Sequence, residues 1–96
     1  MVEVIGHRGA STEAPENTLA ANDLAFQQKA DGVEVDVRLT KDNRLVCMHD
    51  KSAFRTAGQK NLIKESTLNQ LKSLDVGKWK GEKWSGEAIP SLHEVL

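Results

Sequence analysis

The chain has 96 residues, a formal net charge of −1, and 39% hydrophobic against 28% charged residues, which fits one small domain and excludes bulk electrostatic attraction to nucleic acid or to an anionic membrane. It has no long apolar run and no signal-like start, so a cytoplasmic protein without a stable membrane anchor is expected. A single cysteine, Cys47, rules out an internal disulfide, and its place in an apolar run marks it as a small packing residue.

Val2 to Ile5 reads as a short buried strand, loosened at its end by Gly6 and Gly9. Residues 10–16 form a loop punctuated by Pro15. A helix is predicted from about Thr18 to Ala30, with Asn17 as its N-cap and with Leu19, Phe26 and Ala30 on one face. Gly32 ends it, and residues 32–39 follow as a strand. Strand, helix and strand with short joints make a βαβ unit, so these two strands should be parallel. Residues 40–44 are too few for another crossover, so Leu45 to Met48 should return as a hairpin strand around Asp42-Asn43. Centring the turn there sets Val37 opposite Met48, Leu39 opposite Val46, Arg38 opposite Cys47 and Asp36 opposite His49, which sorts apolar from polar side chains.

Residues 51–65 read as polar and irregular. Thr67 and Gln70 then have capping-box spacing, and Leu68, Leu71 and Leu74 mark one stripe of a short helix. Residues 75–90 form a second loop, in which Trp79 and Trp84 stand among Lys78, Lys80 and Lys83; the rings are expected to anchor the loop rather than to stack on nucleic acid. Ser91 and Glu94 repeat the capping-box spacing one turn before Leu96, so the chain is expected to be part of a larger domain.

The residues that carry chemistry fall at strand ends. Glu34 and Asp36 lie two apart on one predicted strand, with Cα atoms about 6.6 Å apart, and project to one face. Two readings are open: a solvated face with Arg38 as ion-pair partner, or two oxygen ligands for one hard cation such as Mg²⁺ or Ca²⁺, with waters, substrate oxygens or another acidic residue completing the shell. His49, set across from Asp36, could exchange protons near neutral pH, or be a surface histidine after an edge strand. Asp50 could orient it or cap the turn. His7 and Arg8 end the first strand, and ligands in α/β folds gather at the carboxyl ends of strands. Arg8 is a permanently charged, planar donor suited to phosphate; the alternative is a loop arginine in water beside a packed histidine. His93 reads as a surface residue. Two of the three histidines thus flank the acidic strand, an arrangement suited to metal-assisted chemistry on phosphate esters.

In order and spacing, His7-Arg8-Gly9, Pro15-Glu16-Asn17-Thr18, Glu34-Val35-Asp36, Thr40-Lys41-Asp42 and His49-Asp50 resemble the glycerophosphodiester phosphodiesterases, over the chain from about Val4 to Leu96. The tail Ile89-Pro90-Ser91-Leu92 is similar to the segment after that family's small insertion. The resemblance implies that residues 1–96 are the N-terminal part of such a domain, with 51–90 as the insertion region. The implied fold class is α/β, the N-terminal portion of a TIM (β/α)8 barrel that three strands cannot close. It implies metal-dependent hydrolysis of glycerophosphodiesters to glycerol 3-phosphate and an alcohol. His7 and His49 would be the general acid/base pair, Arg8 would hold the phosphate, and Glu34 and Asp36 would bind Mg²⁺ or Ca²⁺. Glu16 and Asn17 would lie near the site without an assigned role.

Lys29 and Asn43 depart from a usual small residue and a common turn glycine. The family takes a third acidic metal ligand from a later strand, outside this chain. The isolated chain is therefore expected to be poorly stable, or to associate with the missing part of the barrel or with itself. The alternatives are a lipid phosphodiesterase of the sphingomyelinase D type, which similarly uses two histidines and an acidic pair, and a non-catalytic phosphate- or metal-binding remnant.

Overall fold

The computed structural model describes residues 3–96. In chain order these form β1 (Ile5–His7), α1 (Leu19–Gln27), β2 (Gly32–Glu34), β3 (Val37–Leu39), β4 (Leu45–Cys47), α2 (Phe54–Ala57), α3 (Leu68–Lys72) and α4 (Leu92–Val95), with single 3-10 turns at Ile63–Glu65, Lys78–Lys80 and Glu82–Trp84. The strands make two separate two-stranded sheets, β1 with β2 and β3 with β4, so the described residues form a mixed α/β structure without a closed barrel. No helix among them is long and apolar enough to cross a membrane.

The βαβ unit is present. β1 and β2 are parallel, with Ile5 beside Gly32, Gly6 beside Val33 and His7 beside Glu34. The first strand lies later than the predicted Val2 to Ile5 and ends on His7, with Arg8 in the turn after it; Val2, where the predicted strand began, lies outside the described residues.

The connecting helix also differs from its prediction. Thr18, not Asn17, is the N-cap, its hydroxyl accepting from the Ala21 amide. Asn17 has a left-handed φ of 56° and its side chain is used elsewhere. The predicted face of Leu19 and Phe26 is 37% and 52% exposed, and the helix buries Ala21, Asn22 and Ala25 instead. The glycines of the first segment explain the choice. A Cβ on Gly6 would stand 3.1 Å from the Ala25 methyl, and one on Gly9 would stand 2.7 Å from Ala21. The helix approaches so closely that only alanines fit between the backbones.

The long strand predicted over 32–39 is broken between Glu34 and Val37. At the break the Asp36 amide donates to Asn17 Oδ1 at 3.1 Å, so a side chain takes the place of a ladder partner.

The hairpin is antiparallel, as predicted, but its register is one residue away from the predicted one. Val37 pairs with Cys47, Arg38 with Val46 and Leu39 with Leu45. Met48, not His49, is therefore opposite Asp36, and its amide donates to the Asp36 carbonyl at 2.9 Å. Thr40 is the cause. Its amide donates to the Arg44 carbonyl at 2.8 Å, and its hydroxyl accepts from the Arg44 amide at 2.9 Å. The hydroxyl also donates to Asp42 Oδ1 at 2.6 Å, which leaves a three-residue loop with Asn43 at φ 60°.

The apolar cluster joins β4 to the later segments. Val46, Met48, Ile63, Leu71, Val76 and Ile89 are buried together, with Ala57, Leu68 and Leu74 packed against them. Both edges of β4 are covered, since Val46 bridges to Ser91 and the Cys47 amide donates to the Pro90 carbonyl at 2.9 Å. Burial pushes the Cys47 thiol up to about 11, consistent with a packing residue and not a nucleophile.

Both predicted capping boxes form, Thr67 with Gln70 and Ser91 with Glu94. The stretch predicted as irregular contains α2, ended by Gly58 at φ 72°. Trp79 anchors its loop through the indole N–H, which donates to the Val76 carbonyl at 2.8 Å. By contrast, Val4, Ile5, Phe26, Val37 and Leu39 are each about half-exposed.

Candidate active site

Each chemistry-bearing residue is placed by a local feature of the backbone. The parallel register sets His7 beside Glu34, and His7 Nε2 lies 3.6 Å from Glu34 Oε2, with both side chains substantially exposed. After β1 the chain turns through two left-handed residues, Arg8 at φ 56° and Gly9 at φ 79°. The Asn17 amide donates to the Arg8 carbonyl at 2.9 Å, fixing that turn.

The Arg8 guanidinium then reaches two carboxylates. Nη1 donates to Glu16 Oε2 at 3.3 Å, and Nε lies 3.3 Å from Asp36 Oδ2 without hydrogen-bond alignment. Asn17, almost fully buried, holds Asp36 from the other side, with Nδ2 donating to Oδ2 at 3.1 Å. Arg8 makes one aligned side-chain hydrogen bond with protein, so donors remain free for an anion.

His49 follows β4, and its carbonyl accepts two bonds from Arg38 at 2.9 and 2.6 Å. Its Nδ1 lies 2.8 Å from Asp50 Oδ1. Asp50 and Glu16 are joined by Arg55, which donates to Asp50 at 2.9 and 3.0 Å and to Glu16 at 2.9 and 2.8 Å. The result is one continuous polar chain: His49, Asp50, Arg55, Glu16, Arg8, Asp36, Asn17. His7 and Glu34 form a separate pair.

Sequence reasoning named His7, Arg8, Glu34, Asp36 and His49. The structure brings Arg8 to Asp36 and His7 to Glu34, whereas His49 faces Asp50 rather than the acidic pair. Arg55 was missed, because it lies in a polar stretch without apolar periodicity. Asn17 was misassigned to a cap, and Glu16 had no role until Arg55 gave it a partner.

As to a metal, the hard oxygens of Glu34 and Asp36 are of the type that Mg²⁺ and Ca²⁺ prefer. Among the described residues, however, no group of three or more His, Cys, Asp or Glu side chains is gathered to hold an ion. The donor chemistry fits and the donor number does not, so this pair supplies at most part of a coordination shell.

Charge within the polar chain sets its response to acid. Arg55, and after it His49, hold the Asp50 carboxyl at about 2, below the ordinary 3.8. Glu16 is lowered chiefly by its hydrogen bonds from Arg55, against the opposing effect of burial. A depressed folded-state value means the contribution to stability is present above pH 3.8 and is lost as pH falls toward about 2. Arg55 lies 5.7 Å from the Trp79 ring centroid, so Trp79 fluorescence in a Trp84→Phe background should report the release. A signal that changes only above pH 5, or an unchanged one through pH 2, would contradict this assignment.

Comparison with known proteins gives a family. The model of the glycerophosphoryl diester phosphodiesterase family matches residues 7–96. A glycerophosphodiester phosphodiesterase of Caldanaerobacter subterraneus is 50% identical over 93 residues, covering 97% of this chain and 38% of that protein. The crystal structure of glycerophosphodiester phosphodiesterase from Agrobacterium tumefaciens superposes with a TM-score of 0.96 at 38% identity, over 100% of this chain and 42% of that one. An Oleispira antarctica phosphodiesterase, solved in complex with the product sn-glycerol-3-phosphate, gives a TM-score of 0.91 at 47% identity over 96% of this chain and 37% of that one. The chain thus spans about two fifths of the length of these relatives.

Proposed function

The chain belongs to the glycerophosphoryl diester phosphodiesterase family, and on that premise we propose that it carries the acid/base and phosphate-binding residues of a glycerophosphodiester hydrolase. The observation that supports this most is the polar chain that links His49 through Asp50, Arg55 and Glu16 to Arg8 and Asp36, with His7 paired separately to Glu34 at the ends of β1 and β2. The substrate class is supported by the family and by the Oleispira relative with its bound sn-glycerol-3-phosphate.

Arg8 holds the phosphoryl oxygens through its remaining donors. The glycerol hydroxyl beside the phosphate attacks phosphorus and forms a cyclic phosphate as the bond to the alcohol breaks. One histidine takes the proton of the attacking hydroxyl, and the other gives a proton to the leaving alkoxide. Water then opens the ring with the two roles exchanged, releasing glycerol 3-phosphate. Asp50 is ionised at neutral pH and can only accept, so His49 carries its proton on Nδ1 and offers Nε2 to the reaction. Glu34 and Asp36 would hold a Mg²⁺ or Ca²⁺ ion, which when bound supplies positive charge at the phosphoryl oxygens; other oxygens must complete its shell.

In the same reading the fold is the N-terminal portion of a TIM barrel, with residues 51–90 as an insertion. The parallel β1–α1–β2 unit and the half-exposed Val4, Ile5, Phe26, Val37 and Leu39 support it, since these side chains await further strands and helices. The missing barrel elements, or a second copy of the chain, would cover them.

The test is release of glycerol 3-phosphate from glycerophosphocholine, with Mg²⁺ or Ca²⁺ and with chelator. It is run on the 96-residue chain and on the polypeptide encoded by its full reading frame. Metal-dependent release is expected from the latter; none from either polypeptide would refute the enzymatic reading and leave a non-catalytic phosphate-binding module.

A further inference from the structure

We propose that Arg55 is a positioning residue for this site, clamping Asp50 to Glu16 and thereby fixing the His49 ring and the Arg8 guanidinium relative to one another. The inference rests on the reading above, in which His49 moves a proton and Arg8 holds the phosphate.

The geometry is specific. Arg55 Nε and Nη2 take the two oxygens of Asp50 at 2.9 and 3.0 Å, while Nη1 and Nη2 take the two oxygens of Glu16 at 2.9 and 2.8 Å. Three nitrogens thus serve four carboxylate oxygens, which a planar guanidinium can do and an ammonium cannot. Each carboxylate then passes one of those oxygens on. Asp50 Oδ1 also meets His49 Nδ1 at 2.8 Å, and Glu16 Oε2 also meets Arg8 Nη1 at 3.3 Å. Residues 39 apart in sequence are thus joined, linking the loop after β1 to the end of β4.

The clamp is itself held. Trp79, fixed by its own indole hydrogen bond, lies against the Arg55 guanidinium at 5.7 Å to the ring centroid. The charges agree with this geometry, because Arg55 favours the ionised form of Glu16 chiefly through its hydrogen bonds, against burial and the like charge of Asp50. Without Arg55 the two carboxylates move apart, Asp50 turns freely, and the His49 tautomer is no longer set.

The test compares Arg55→Ala and Arg55→Lys in the full-reading-frame polypeptide. Steady-state kinetics on glycerophosphocholine are combined with ¹⁵N spectra of the histidine rings. Arg55→Ala is expected to lower kcat by about 10- to 100-fold with a smaller change in KM, as misplacement of a reacting group does. Arg55→Lys should lose nearly as much despite its charge. Millimolar guanidinium should restore part of the Arg55→Ala rate. The ring ¹⁵N signals of His49 should average between tautomers, while those of His7, outside the polar chain, stay as they were. Wild-type kcat in Arg55→Ala would overturn the proposal, and so would a loss without guanidinium rescue and without change in the His49 signals. If Arg55→Ala does not fold, Arg55→Lys carries the same two readouts, and unchanged kcat or an unchanged His49 tautomer in it is equally fatal. The underlying reading fails separately: His49→Ala with full turnover removes His49 from the chemistry whatever Arg55 variants do.

Discussion

His49→Ala should lower turnover of glycerophosphodiesters by about 100- to 10,000-fold in the active polypeptide, the usual loss when a positioned proton-transfer group is removed. The fold should barely register the change. The His49 side chain is 46% exposed, and its ring meets Asp50, itself partly open to water. The backbone of residue 49 is held independently, because its carbonyl receives Arg38 and needs no side chain to do so. Stability within about 0.5 kcal/mol of wild type is expected, as for a surface substitution. Turnover near wild type in a folded His49→Ala protein would exclude this imidazole from the mechanism. A loss explained by unfolding would show in circular dichroism before any kinetic run.

Gly9→Ala should damage the fold far more than one added methyl suggests, costing about 2–5 kcal/mol of stability from two separate sources. One is conformational: φ at Gly9 is +79°, where an L-residue is strained. The other is steric: the new methyl would lie 2.7 Å from both the backbone carbon and the Cβ of Ala21, and 2.8 Å from Asn22 Oδ1. Gly58 separates the two, since its φ is +72° and a Cβ placed there would meet nothing within 4 Å. Gly58→Ala should therefore cost only the conformational part, about 1–2 kcal/mol. Denaturant titrations of both variants test this, and equal losses would show that the helix does not press against the β1 turn.

Much of this architecture was legible because it is local. A strand, a helix and a second strand in succession point to a parallel pairing, and β1 with β2 is parallel accordingly. Thr67 with Gln70 and Ser91 with Glu94 announce their caps by spacing alone. The hairpin register was not legible from apolar alternation, for a physical reason. Val46, Cys47 and Met48 are all buried in succession, while Val37, Leu39 and Leu45 are each about half-exposed. The period of two that should fix a register is absent when both faces of a strand are covered. Its true determinant is the side chain of Thr40, which shapes the turn.

The candidate site divides in the same way. His7, Arg8, Glu34, Asp36 and His49 could be named from strand ends and from the family resemblance. Arg55 could not, because only tertiary structure brings a residue of α2 to Glu16 in the loop before α1. Asn17 carried a true signal that was assigned to the wrong bond: an asparagine before a helix is a common cap, but here its amide reaches Asp36.

The packing of the molecule has a dynamic corollary. Its apolar cluster draws on residues 46–89, whereas His7, Arg8, Glu34 and Asp36 belong to a segment that packs through alanine and glycine. Backbone amides around β1 and β2 should accordingly exchange with deuterium sooner than those of β4, and an anion that bridges Arg8 to its neighbours would slow that exchange by lending the first segment cohesion its own side chains lack.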